Sequence, residues 1–434
     1  MLFVKEKSFY KTLIAIALPI ALQNLIAQGV SMMDTLMIGQ LGDAQISGVA
    51  SANQIFFILS LITFGLAGGA SVLCSQYWGK KNTEAIRKIF GFSIKFSIIA
   101  AIILFTLVQL FPHQILRFYT NSSEAIEHGV KYIRIVSVSY LFFSFTSTYT
   151  IAMRSVEKVK ISLFVNIISF FVNVFFNWVF IYGNLGAPRL EAAGAAIGTV
   201  IARFCELIII LIYIFFFEKT VKFKFKDIFK RDKLLFKDYI KFSSPVAGNE
   251  LMWGLGTSVL VAILGQISIS VTAANNIATV ISQLITVFLF GVANATVVIV
   301  GKQIGSGKIP YAKQCAKTLQ VISLIVGFVL MAILLLVKDF ALSMYNLSQE
   351  SMLYSNWFII VLALIIPFQS FTATAIIGTL RGGGDTKFGF ICDLTMLWFY
   401  AIPLALLMVF VFTGIPVWLI YFVIKSEEIV KTIM

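Results

Sequence analysis

The sequence predicts an all-α polytopic membrane protein, with twelve transmembrane helices in two pseudo-twofold-related six-helix lobes. Three observations lead there. Of 434 residues, 59% are hydrophobic and only 12% are charged, and the mean hydropathy is strongly positive; soluble domains carry about 25% charged residues. Apolar stretches of roughly 20 residues, enough to cross about 30 Å of hydrocarbon, run almost end to end. The second half of the chain repeats the first at an offset near 226 residues.

The spans fall at 12–36, 46–74, 90–111, 132–153, 161–183, 192–217, 240–265, 272–300, 312–337, 352–380, 388–412 and 415–433. The first follows Lys5, Lys7 and Lys11 but is long and lacks a small-residue cleavage site, so it reads as a retained signal anchor. Between the sixth and seventh lies the longest polar stretch, Glu218 to Lys241, rich in Lys with interspersed Phe. It reads as a cytoplasmic linker near the membrane surface. The expected organisation is an N-lobe over 1–217, a linker over 218–239 and a C-lobe over 240–434. Cys74, Cys205, Cys315 and Cys392 lie in or beside different spans without CxxC spacing and read as packing residues.

A net charge of +14 raises the question of nucleic acid, but the placement of the cations answers it otherwise. Alternate loops put 27 Lys and Arg on one side, nine of them in the central linker, and five on the other: Arg117, Lys131, Arg134, Arg189 and Lys338. Cytoplasmic loops carry such an excess. Both termini are therefore expected in the cytoplasm of a bacterial plasma membrane, with the lipid bilayer as partner and no nucleic acid.

The repeat is carried by ordered anchors. Leu18-Pro19-Ile20-Ala21 matches Ser244-Pro245-Val246-Ala247, Gly39-Gln40-Leu41 matches Gly265-Gln266-Ile267, and Phe64-Gly65 matches Phe290-Gly291. Gly79 then matches Gly305, and Arg154, Lys160 and Asn166 match Arg381, Lys387 and Asp393. Six spans per copy is an even number, so both copies point the same way across the bilayer. That parity implies a pseudo-twofold axis along the membrane normal, a shared cavity and alternating access. Arg203 and Glu206 of span 6 match Lys425 and Glu428, yet fewer residues follow Glu428, so span 12 is expected to be shorter by about a turn.

Ionisable groups inside a bilayer are expensive, at roughly 2.5 to 3.5 kcal/mol on insertion scales, which makes each one a functional candidate. Asp34 lies near the outer end of span 1, where it is either a loop-edge acid or a site residue. Glu250 lies deep in span 7, five residues after Pro245, as a paired structural acid or a substrate-pathway residue. Asp393, early in span 11, is interfacial or mechanistic. Glu206 and Arg203 sit i, i+3 and read as an internal pair. Among neutral amides, Asn166, Asn173 and Asn177 form a stripe in span 5, Asn53 and Gln54 lie in span 2, and Asn275 and Gln283 lie in span 8. Such stripes either bond between helices or line a path for ions or substrate.

Carboxylate and amide oxygens suit a hard cation such as Na⁺, and a partly desolvated carboxylate also suits a proton. Enzymatic chemistry has no foothold. The only histidines, His113 and His128, fall in an outside loop, HExxH and GxSxG are absent, and Gly301 to Lys308 fails the phosphate-loop spacing. No cofactor is expected; energy would come from an ion gradient.

Several motifs in order resemble a known family: Pro19 with Asp34-Thr35-Leu36-Met37-Ile38-Gly39, Gln76-Tyr77-Trp78-Gly79, Gly186-Ala187-Pro188, Gly194-Ala195-Ala196 and Arg381-Gly382-Gly383-Gly384-Asp385-Thr386. Over essentially the whole chain the pattern resembles the multidrug and toxic compound extrusion (MATE) family. The resemblance implies two six-helix lobes in a V and export of small organic, often cationic compounds in exchange for Na⁺ or H⁺. It also implies an N-lobe cation site of Asp34, Asn173, Asn177 and Thr199, with Asp34, Asn173 and Asn177 as the Na⁺ ligands. Asn177 stands where one branch of the family carries Asp, which leaves one carboxylate and both ions open. In the C-lobe, Glu250 lies one turn nearer the cytoplasm than the family's usual span 7 acid, and Ser370 beside Gln369 replaces a span 10 acid. The expected substrate-pathway set is Glu250, Asn53, Gln54, Asn166, Asn275, Gln283 and Asp393, in a monomer. A flippase for lipid-linked sugars would instead need several intramembrane cations, for which only Lys95 and Arg203 are candidates.

Overall fold

Helix α1 (Lys7–Gly39) and helix α9 (Lys233–Gly265) each carry an internal proline, Pro19 and Pro245, at matching places in the repeat. Proline removes one i→i−4 hydrogen bond and crowds the preceding turn, so both helices have a built-in weak point. The computed structural model describes residues 3–345, 347–412 and 414–434, and among these the chain is helical with no β-strand. It folds as two compact units, Leu22–Ala247 and Met1–Ala21 with Gly248–Met434. Both divisions fall two residues past the proline of α1 or α9.

In the first unit, α2 (Asp43–Gly79) is the central helix, packed against α3 (Thr83–Leu110), α5 (Ser123–Val136) and α6 (Ser139–Arg154), with the short α4 (Pro112–Arg117) between α3 and α5. Small residues permit these approaches. A Cβ at Gly48 would lie 2.3 Å from the carbonyl oxygen of Ala125, so α2 and α5 meet backbone to backbone, as membrane helices do in the absence of a hydrophobic drive. The pair α7 (Lys160–Tyr182) and α8 (Ala192–Phe217) completes the unit, with α8 also against α5 and α6.

In the second unit, α10 (Ile269–Gly305) takes the role of α2, packed on α11 (Ile309–Ser343) and α12 (Gln349–Gly383). Helix α13 (Thr386–Val411) and two short helices, α14 (Val417–Lys425) and α15 (Glu427–Ile433), follow. Phe358 of α12 stacks on Tyr421 of α14 with ring centroids 3.9 Å apart, both side chains fully buried.

Each of the twelve expected spans corresponds to helix, and among the described residues ten helices are by themselves long and apolar enough to cross a membrane. Two spans are each broken into separate helices. The fourth is α5 and α6, bent by 53°. The twelfth, expected over 415–433 as one helix, breaks between α14 and α15 at Ser426, whose hydroxyl donates back to the carbonyl of Val423 at 2.7 Å. Serine that bonds to the preceding turn competes with helix continuation. Helix α9 starts at Lys233, inside the stretch expected as linker, because the Asp232 carboxylate caps it by accepting from the backbone N–H of Leu235 at 3.1 Å.

Candidate functional site

The face of α7 that meets α8 holds Ser169, Asn173 and Asn177, successive residues four apart and hence stacked on one side of the helix. All three side chains are buried. Asn177 Nδ2 donates to Asp34 Oδ1 of α1 at 2.6 Å and to Asn173 Oδ1 at 3.3 Å, and Asn173 Nδ2 donates to Thr199 Oγ1 of α8 at 3.5 Å. Asp34, Asn173, Asn177 and Thr199 are thereby brought into one chain of contacts. Gly198 makes room for it, since a Cβ there would lie 2.1 Å from Asn177 Oδ1. That same Oδ1 is buried without a hydrogen-bond donor. A buried acceptor beside a carboxylate, with a threonine hydroxyl near, is a donor-poor and oxygen-rich setting that fits a small hard cation or a proton on Asp34.

One turn earlier in α7, Ser169 donates to Glu206 Oε1 at 2.6 Å, and Arg203 Nη1 lies 2.9 and 3.0 Å from the two Glu206 oxygens. Arg203 also lies over the rings of Phe143 and Phe56, at 5.1 and 5.8 Å. The pairing expected of Arg203 and Glu206 is therefore present, and Ser169 joins it. Ser169 was the residue missed in the α7 stripe. Its signal was available, because it sits four before Asn173. Asn166, expected in that stripe, instead donates to the carbonyl of Ser162 in its own helix at 2.8 Å.

In the second unit, Arg381 Nη2 donates to Glu250 Oε1 at 3.1 Å, with only 9% and 23% of the two side chains exposed. Of the two readings open for Glu250, the structure shows an ion-paired acid. Asp393 accepts from Asn249 Nδ2 at 3.0 Å and from Lys431 Nζ at 3.2 Å. Lys431, 5% exposed, is shared with Glu428 at 3.5 Å and Glu427 at 3.8 Å, and Thr372 donates to Glu428. One ammonium thus serves three carboxylates, a cluster that the sequence reading did not assemble although Glu427, Glu428 and Lys431 lie on one helical face. Asn275 is buried, whereas Asn53, Gln54 and Gln283 are exposed; Asn53 Oδ1 accepts from Tyr132 at 3.3 Å. Among the described residues no three His, Cys, Asp or Glu side chains gather to hold a metal ion.

Comparison with known proteins agrees with the repeat and the fold. The sequence matches the MatE family over residues 19–179 and 245–407, two blocks that start at Pro19 of α1 and Pro245 of α9. A probable multidrug resistance protein of Bacillus subtilis, YoeA, is 22% identical over 92% of this chain and 87% of its own length. The probable multidrug resistance protein NorM of Thermotoga maritima is 24% identical over 92% of this chain and 85% of its own. A crystal structure of the Vibrio cholerae MATE transporter VcmN superimposes with a TM-score of 0.88 at 14% identity, over 98% of this chain and 94% of that one. With the family matched across most of its length in two repeated blocks, this chain belongs to the MatE family of multidrug efflux transporters.

Proposed function

We propose that this transporter exports small organic, often cationic compounds by antiport, driven by Na⁺ or H⁺ taken up at Asp34, Asn173, Asn177 and Thr199. The observation behind this reading is the 2.6 Å contact of Asn177 with Asp34 combined with the donorless buried oxygen on the same amide. A cation or proton arriving at Asp34 neutralises its charge and removes the reason for Asn177 Nδ2 to point at it. The amide can then turn, and the contact between α1 and α7 that it makes is lost. The chain passes from one compact unit to the other within α1, just past Pro19, and again within α9, just past Pro245.

The protein works as a monomer in a bacterial inner membrane with both termini in the cytoplasm, the side to which 27 of its basic residues are assigned. Asn53, Gln54 and Gln283, exposed polar side chains on α2 and α10, are the best placed of the pathway candidates to meet substrate. A pyrophosphate-handling flippase is not favoured, because Arg203 is already neutralised by Glu206.

The test is dye efflux from proteoliposomes under separately imposed Na⁺ and proton gradients, with wild type and Asp34→Asn. Wild type should respond to one gradient and Asp34→Asn to neither. An Asp34→Asn protein that still exports dye under either gradient overturns the coupling site.

A further inference from the structure

Residues 218–232 connect α8 to α9, two helices that cross the membrane, so both ends of this segment are fixed at the hydrocarbon edge. Its backbone is held in one shape. The Glu218 carboxylate accepts from the N–H groups of Thr220, Val221, Lys222 and Phe223 at 2.6 to 3.3 Å, with Lys222 in the left-handed region at φ 55°. Val221 and Phe223 are buried, while Lys222 and Lys224 alternate with them and are exposed. A short turn over Phe225–Phe229 then packs on α3, where a Cβ at Gly91 would lie 2.4 Å from the carbonyl oxygen of Asp227.

The acids of this segment are consumed internally. Glu218 binds the backbone as above. Asp227, buried, accepts from the backbone N–H of Lys224 at 2.8 Å and pairs with Lys230 at 2.7 Å. Asp232 caps α9 and pairs with Lys88 of α3 at 3.2 Å. Exposed cations remain outside: Lys219, Lys222, Lys224, Lys226, Arg231 and Lys233. Beside and among them are aromatic side chains that water does not explain, Phe216 and Phe217 in the last turn of α8 and Phe229 within the segment, exposed by 73%, 67% and 77%. Ammonium groups beside phenyl rings, on a segment pinned to the membrane at both ends, complement one surface, which offers phosphate and apolar chain together.

We propose that the α8–α9 segment is a binding belt for anionic phospholipids, its exposed Lys and Arg engaging headgroup phosphates while Phe216, Phe217 and Phe229 enter the headgroup–acyl boundary. Each cation near an anionic surface contributes about 1 kcal/mol, a factor of about five in preference.

The experiment is native mass spectrometry of the full-length protein purified with an equimolar mixture of phosphatidylglycerol and phosphatidylcholine. Wild type should retain mainly phosphatidylglycerol, and the ratio should fall steeply from about 0.01 M to about 1 M salt as the screening length shrinks from about 30 Å to about 3 Å. Lys222→Gln/Lys224→Gln/Lys226→Gln/Arg231→Gln should lower the ratio by up to about fivefold per cation. Lys5→Gln/Lys7→Gln/Lys11→Gln should leave it near wild type. Equal retention of the two lipids by wild type, an unchanged ratio in the linker variant, or an equal fall in the N-terminal variant overturns the proposal. So does loss of the preference on adding millimolar inorganic phosphate or polyglutamate at constant ionic strength, which would identify a free-anion or acidic-peptide site. The wild-type salt series stands even if the linker variant fails to fold.

Discussion

A single methyl group added at Gly198 tests whether Asn177 sets the cation site. The Gly198→Ala methyl would lie 2.1 Å from Asn177 Oδ1, 3.2 Å from its Cγ and 3.1 Å from its backbone nitrogen. Carbon and its neighbours are comfortable near 3.5 to 4.0 Å, so the backbone contact needs only a few tenths of an ångström while the side-chain oxygen must leave. Asn177 then turns and surrenders its 2.6 Å bond to Asp34 and its 3.3 Å bond to Asn173. A hydrogen bond to a charged group is worth about 1.5 to 3 kcal/mol, and this one stabilises the ionised, cation-free Asp34, so its loss removes a competitor of the coupling cation and raises the apparent cation affinity by roughly one to two decades. Overpacking adds a fold cost of about 1 to 3 kcal/mol, readable separately by thermal unfolding. The assay is dye efflux from proteoliposomes as a function of external Na⁺ and of pH. Adding Asn177→Ala to Gly198→Ala removes the clash and should restore thermal stability while leaving the cation dependence shifted from wild type. Wild-type cation dependence in Gly198→Ala, at unchanged stability, would refute the placement of Asn177 at the coupling site.

Two further perturbations address charge. Breaking a buried ion pair by removing one partner costs about 3 to 5 kcal/mol, and the 23% exposure of the Glu250 side chain puts its pair with Arg381 at the lower end. Glu250→Gln should therefore lower thermal stability, Glu250→Gln/Arg381→Gln should recover part of the loss, and a strictly additive double variant would show that the two do not interact. It should also weaken cationic dyes more than neutral ones only if Glu250 leaves Arg381 during transport, so equal losses in efflux count against charge recognition there. Burial of the Asp227 carboxyl opposes its ionisation, but the Lys230 ammonium, the Lys224 N–H and nearby Arg87 outweigh it and hold its pKa below the usual value. A group lower in the folded state than in the unfolded state stabilises fully above its unfolded pKa of about 4 and loses that contribution as pH falls through the folded pKa. The stability gap between wild type and Asp227→Asn should thus be flat above about pH 5 and close in acid; a gap that persists unchanged below pH 3 to 4 contradicts the ion pair.

What the sequence reveals of this protein depends on whether the physics is periodic or conformational. Spans, parity and the repeat are periodic, and they are visible because lipid demands about 20 apolar residues wherever a helix crosses. The shared face of Asn173 and Asn177 follows from their spacing alone. Their meeting with Asp34 does not, since α1 and α7 are 143 residues apart at that contact and only family resemblance joins them in the sequence. Asn166 shows the limit on the same helix: spacing puts it near the stripe, but a rotamer turns its amide onto Ser162. The 53° bend between α5 and α6 has no proline or glycine at Ser137 or Val138 to announce it. The Lys431 cluster joins Asp393 of α13 to Glu427 and Glu428 of α15, a tertiary meeting that a hydropathy window does not register.

The repeat carries the interpretation of Glu250 further than either half does alone. In the first unit Arg154 Nη2 donates to Gln23 Oε1 at 2.6 Å, and Gln23 lies four residues past Pro19. In the second, the repeat-related Arg381 reaches Glu250, five residues past Pro245, while Asn249, the match of Gln23, turns to Asp393. Each arginine therefore ties the turn just beyond a proline to its own unit, immediately after the point where α1 or α9 changes unit. A buried guanidinium needs an acceptor in either case, and a neutral amide meets that need in the first copy. What the second copy adds by using a carboxylate is charge neutrality around the clamp. The acid in α9 is thus explained by the arginine it holds, and Asp34 is left as the carboxylate whose partners, two amides, carry no countercharge of their own.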